Sequence, residues 1–97
     1  MNLKEKYDKV YNAIHDNNQK FEELKNKRSL RKDLHAFLLL DELFPKTENA
    51  ISHAAHDHYY LNYTSKEINT LSEQHLFELI LCHVLYDEYE ECLFFVT

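Results

Sequence analysis

His53, His56, Asp57 and His58 form the densest group of potential metal ligands in the chain. On a helix, His53, His56 and Asp57 stand at i, i+3 and i+4 and share one face, while His58 points about 140° away from His53. Two imidazole nitrogens and one carboxylate would make the three-ligand set that a catalytic zinc keeps while a fourth position stays open. No HExxH base and no outer hydrogen-bond partner accompany them. The competing reading is a solvated, histidine-rich helix end, with His58 packing where that helix meets the next element.

Thiol chemistry needs a histidine base within reach and an electropositive setting that holds the thiolate. Cys82 is followed by His83, but adjacent residues on a helix diverge by about 100°, and His75 lies two turns back, about 10 Å along the axis. The surrounding sequence is acidic. Cys82 and Cys92 form neither a CxxC pair nor a framework of four, so they read as reduced, buried thiols of a reducing compartment. Asp87, Glu88, Glu90 and Glu91 contain no pair marked as acid and base and read as a solvated turn. The chain has no glycine at all, which removes the phosphate loops, dinucleotide turns and nucleophile elbows that need a residue without Cβ. No catalytic residue and no cofactor is expected.

Charge divides the chain unevenly. Residues 1–32 hold nine Lys or Arg against five Asp or Glu, whereas residues 33–97 hold two against twelve, so a net +4 segment precedes a net −10 one. The acidic part disfavours direct nucleic-acid binding and suits a basic protein surface, or mimicry of a polyanion. Lys25, Lys27, Arg28, Arg31 and Lys32 could neutralise phosphates, or could simply complement the dipole at the end of a first helix. Partner-binding candidates are therefore Asp87, Glu88, Glu90 and Glu91 at one pole and Lys25, Arg28 and Arg31 at the other.

These groups need elements to hold them. With 97 residues, 44% of them hydrophobic, the chain has material for one core and one domain, burying roughly 60–65% of its unfolded surface. Leu3, Tyr7, Val10, Ile14, Phe21 and Leu24 recur at 4-3-4-7-3 spacing, with Asn17 at the missing seam position. This predicts one helix over 2–28, a helical arm on a compact 29–97, with Asn17-Asn18 as its weak point and a break there as the alternative. The seam either docks on the protein's own core or joins two copies as a homodimer, with Asn17 selecting register. Leu34, Phe37, Leu38, Leu39, Leu40, Leu43 and Phe44 cover most of a second helix, which Pro45 ends, and so predict a segment contacted on several sides. Thr47 offers a cap, and Ile51, Ala54, Ala55 and His58 at i, i+3, i+4 and i+7 predict a third, short helix.

Tyr59 to Tyr63 reads as a strand. Thr64 and Glu67 predict a capping box for a helix at 65–70. Leu71 and Ser72 start another, through Cys82, with Leu76, Leu79, Ile80 and His83 inward. The would-be recognition helix of this pair carries Glu73 and Glu78 and no Lys or Arg, which argues against helix-turn-helix readout of DNA. Val84 to Tyr86 and Cys92 to Val96 flank the acidic run as a hairpin. The expected fold is α+β and mostly helical, with a small C-terminal antiparallel sheet.

From Phe37 to Thr97 the chain resembles a group of small uncharacterised bacteriophage and prophage proteins. The resemblance is carried by Leu43-Phe44-Pro45, by Ala54-Ala55-His56-Asp57 leading into Tyr60-Leu61, and by Cys82, the strand from Val84 to Asp87 and the terminal Cys92-Leu93-Phe94-Phe95-Val96. In that pattern a glycine follows the Cys82 equivalent; His83 here implies either strain or a helix one turn longer. The resemblance implies a phage-type origin and no activity. The composition agrees: Phe, Tyr, Met, Ile, Asn and Lys total 35 residues against 8 for Gly, Ala, Arg and Pro, the bias of an AT-rich genome. No stretch approaches the roughly 18 apolar residues of a membrane span, and the charged N-terminus has no secretory pattern, so a cytoplasmic location is expected. The favoured expectation is a non-enzymatic protein that binds and modulates or inhibits a host or defence macromolecule, such as a CRISPR effector. The alternatives are a metal protein built on His53, His56 and Asp57, and a nucleic-acid-binding regulator built on residues 25–32.

Overall fold

A computed structural model describes residues 2–25, 27–46, 49–55 and 57–96. The helix α1 spans Leu3–Asp16 and begins where the Asn2 side chain accepts the Glu5 N–H at 2.8 Å, satisfying one of the free donors of the first turn. It ends at Asn17, not at residue 28. Asn18 has φ 49°, its N–H reaches the His15 carbonyl, and the Gln19 N–H reaches back to Ile14. These two bonds around a left-handed residue are a Schellman termination, with asparagine in the place glycine usually takes. The Asn17 side chain also donates to the Ala13 carbonyl at 2.9 Å, competing for the acceptors a longer helix would need. A 3-10 turn at Phe21–Glu23 then returns Phe21 and Leu24 to the core, so the spacing survives a break in the helix.

The helix α2, Lys32–Leu43, buries His35, Ala36, Leu39 and Leu40. It is not enclosed all round, since Leu34 and Leu38 are each 41% exposed. One stripe satisfies the core, in contact with α4, with the Phe21 ring at 5.7 Å from His35, and with the sheet through the Phe37–Phe95 ring contact at 5.9 Å.

The segment expected as a third helix is a hairpin. Strand β1, Ile51–Ala55, pairs antiparallel with β2, His58–Leu61, with Ala55 opposite His58 and a register irregularity between Ile51 and His53. Thr47, the expected cap, lies outside the described residues. The helical spacing rested on eight residues, too few to nucleate a helix in isolation. By contrast, β2 gains ladder partners on both edges, pairing Tyr59 with Phe95 and Tyr60 with Phe94 across β4.

Two short helices separate β2 from the last hairpin. In α3, Ser65–Ile68, Thr64 and Glu67 form the expected capping box. In α4, Glu73–Leu81, Ser72 Oγ accepts the His75 N–H at 3.1 Å while His75 Nδ1 accepts the Ser72 N–H at 3.3 Å, so histidine fills the position glutamate normally holds. His83, with φ 67°, ends this helix and is exposed. It is therefore not among the inward residues. Strands β3, Val84–Asp87, and β4, Cys92–Val96, complete an antiparallel sheet in the order β1-β2-β4-β3. The architecture is α+β, as the residue patterns predict.

The core joins Leu3, Val10, Ile14, Phe21 and Leu24 to Leu39 and Leu40 of α2, Leu76 and Leu79 of α4, and Val84 and Leu93 of the sheet. The N-terminal segment and the remainder share this one cluster.

Candidate partner-binding surface

The turn between β3 and β4 carries Tyr89, the most exposed large hydrophobic side chain among the described residues. Asp87 pairs with Cys92 across the hairpin, and its Oδ1 accepts the N–H groups of Tyr89 and Glu90 at 2.9 and 3.1 Å. This Asx-type turn fixes the loop without glycine, and Glu91 closes it at φ 52°. Tyr89 stands at the tip, 92% exposed, between Glu88 and Glu90. The turn thus carries Asp87, Glu88, Glu90 and Glu91 in sequence on either side of an exposed aromatic side chain that the charge pattern alone did not single out. The signal was present as a tyrosine flanked on both sides by glutamates in a predicted turn.

The negative field of the tip is felt by its neighbours. The Tyr86 hydroxyl is pushed above the usual phenol range, first by partial burial and then by Glu91, Glu88, Cys92 and Asp87. Burial first, then the charges of Asp87 and Glu90, raise the Cys92 thiol. One cation answers at the rim: Lys4 Nζ lies 3.5 Å from Glu88 and 2.8 Å from Asp8. Both pairs are half exposed, a setting in which an ion pair contributes roughly 0–1 kcal/mol.

The basic pole is built differently. Lys27 Nζ donates to the carbonyls of Glu22 and Leu24, both at 2.9 Å, and lies 5.6 Å from the Phe21 ring centroid. Arg28 bridges Glu42 at 2.9 Å and Glu78 at 3.7 Å, and Arg31 pairs with Asp33 at 3.1 Å. Lys25 is exposed, and Lys32 is half-buried. Two members of the cluster, Lys27 and Arg28, therefore brace the loop before α2 instead of standing free for phosphates.

Behind Arg28 lies a polar group that sequence reading missed. His35 is fully buried; its Nδ1 accepts the backbone N–H of Arg28 at 3.1 Å, and its Nε2 lies 3.0 Å from Glu78 Oε1. Since Nδ1 is accepting, the proton sits on Nε2 and is donated to the carboxylate. The only hint in the sequence was a histidine in phase with Ala36, Leu39 and Leu40.

The histidine group at 53–58 is rearranged. His53 lies in strand β1 and His58 in β2, Asp57 lies between the strands, and His56 lies outside the described residues. The shared helix face of His53, His56 and Asp57 does not form, because the segment is extended and side chains alternate across a strand. Asp57 Oδ1 instead lies 3.6 Å from His58 Nδ1, and the His58 ring meets Phe94 edge-on at 5.1 Å between centroids. Among the described residues, no group of three His, Cys, Asp or Glu side chains is gathered to hold a metal.

Cys82 is buried, Cys92 is half-buried, and both are free thiols. Burial and the nearby Glu78 charge push Cys82 up to about 12, with Lys32 opposing weakly. That environment suits a core side chain and not a thiolate. The seam of Leu3, Tyr7, Val10, Ile14, Phe21 and Leu24 is spent on the intramolecular core: all but Tyr7 are buried, and Tyr7 packs on Tyr86 at 5.9 Å. Asn17 caps α1, and of the two readings of the seam the burial of its residues supports docking on the protein's own core. No helix among the described residues is long and apolar enough to cross a membrane.

The fold defines a small α+β domain. No protein-family model matches the chain, and no curated protein or solved structure matches it.

Proposed function

We propose that this chain is a non-enzymatic interaction protein whose β3–β4 tip binds a basic surface on a protein partner. The observation that carries the reading is Tyr89, 92% exposed on a turn held by Asp87 and flanked in sequence by Glu88, Glu90 and Glu91. An exposed tyrosine among carboxylates suits stacking on a guanidinium while the acids pair with neighbouring cations. Tyrosine anchors commonly contribute about 2 kcal/mol or more to an interface, and the surrounding charges set rate and selectivity. The resemblance to phage and prophage proteins supports a host or defence macromolecule as the partner. The basic nucleic-acid channel of an effector such as a CRISPR complex offers the required chemistry, and blocking it would inhibit the effector.

Titration with an arginine-rich peptide, followed by affinity capture from host cells, tests this. Tyr89→Ala and the triple variant Glu88→Lys, Glu90→Lys, Glu91→Lys should each weaken binding at least about 10-fold, and so should raising salt from 50 to 500 mM. Binding that is indifferent to salt and to the tip variants would overturn the proposal.

A further inference from the structure

The outer face of α2 carries an apolar stripe that the described residues leave exposed. Leu34, Leu38 and Asp41 are exposed at 4-3 spacing, the seam spacing of a paired helix, and Arg31 is exposed at the N-cap three residues before Leu34. Leu34 and Leu38 are each 41% exposed, and Leu30, just before the helix, is 87% exposed. These are three of the five large hydrophobic side chains that the described surface leaves open; Ile51, a fourth, lines a groove of about 450 Å³ with Phe37 and Asp41 beside the same helix.

We infer that this face joins two copies of the chain as an antiparallel α2 pair. The argument is self-complementarity. A two-fold axis crossing the helix at the level of Ala36 sets Leu34 of each copy against Leu38 of the other. The same axis sets Arg31, whose exposed guanidinium pairs with Asp33 at 3.1 Å within the chain, against Asp41 of the other copy, the N-terminal end carrying Arg31 and Lys32 and the C-terminal end Asp41 and Glu42. A parallel pair would place Arg31 against Arg31 and Asp41 against Asp41. The antiparallel arrangement is isologous and closes at two copies. The twelve residues of α2 give a contact about 18 Å long, so the pair is expected to be weak and concentration-dependent. This face does not involve the β3–β4 tip, so the inference is independent of the proposed function.

Sedimentation equilibrium of the full chain, from low micromolar to several hundred micromolar, should show a monomer–dimer equilibrium. Leu34→Glu, at an exposed position, should leave the helical circular dichroism intact and shift the midpoint at least about 30-fold toward monomer. Arg31→Glu and Asp41→Lys should each weaken the dimer, and combining them should restore it, because the charges then face one another in exchanged positions. The tip variants should leave the equilibrium unchanged. A chain that is monomeric throughout, a dimer indifferent to Leu34→Glu, or a charge exchange that fails to restore association would each overturn the inference.

Discussion

His35 Nε2 lies 3.0 Å from Glu78 Oε1 while His35 Nδ1 accepts the Arg28 N–H at 3.1 Å, so one fully buried imidazole ties the loop before α2 to α4. Arg28 closes the arrangement through Glu78 and Glu42. Both ring nitrogens are used, and the described residues leave no buried side-chain polar atom without a partner.

Replacing His35 by Leu removes the acceptor of the Arg28 N–H and the donor to Glu78. The loss should be about 2–4 kcal/mol, measured by urea unfolding, because polar groups are left buried and unpaired. Glu78→Gln keeps an acceptor for Nε2 and should cost less than His35→Leu. Equal stability of His35→Leu and the parent would show that the network adds nothing.

Asn18, His83 and Glu91 adopt φ values of 49°, 67° and 52° in a chain without glycine. Each left-handed residue with a Cβ costs about 1 kcal/mol, part of which glycine recovers. His83→Gly should therefore raise the melting temperature by several degrees, since 1 kcal/mol corresponds to about 4–8 °C in a domain of this size. Asn18→Gly should gain less, because asparagine tolerates this region best. At well-separated sites the gains should add. A triple glycine variant that melts no higher than the parent would contradict this account.

Cys82, with its thiol pushed up to about 12, should react with iodoacetamide at pH 8 roughly a thousandfold more slowly than a free cysteine, following its thiolate fraction. Labelling at each cysteine, read by mass spectrometry of peptides, should reach Cys82 only as the protein unfolds. Alkylation of native Cys82 at the rate of an ordinary thiol would refute the buried setting.

The Glu67 carboxyl is held below its ordinary value by the Thr64 N–H and the Lys46 ammonium, the latter 3.0 Å from Oε1. A carboxylate with a depressed folded pKa contributes stability that is fully present above the unfolded value and is lost as pH falls through the folded one. Glu67→Ala should therefore cost about 1 kcal/mol at pH 7, the usual magnitude for a helix cap. The difference in urea midpoints should shrink as pH falls below 4.5, the unperturbed value. A difference constant from pH 7 to pH 3 would show that the carboxylate charge plays no part.

What could be read along the chain is what is decided within a few residues. Thr64 with Glu67, and Ser72 with His75, settle their hydrogen bonds across three positions, and Asp87 folds its own turn. The starts of α3 and α4 and the last hairpin were therefore visible as caps and turn chemistry. The end of α1 was also local, in Asn17 and Asn18, but the spacing of Phe21 and Leu24 concealed it, because a turn can return a chain to the same core in the same phase. Ile51, Ala54, Ala55 and His58 carried a helical spacing, and the tertiary fold chose strands instead by pairing β2 with Phe94 and Phe95, far away in sequence. The same long-range contacts put His35 against Glu78, used the N-terminal seam inside the molecule, and left Leu34 and Leu38 outside it. Local hydrogen bonding is written in neighbouring residue types. Which apolar face is covered depends on elements that meet only after the chain has folded, and so only the assembled structure decides it.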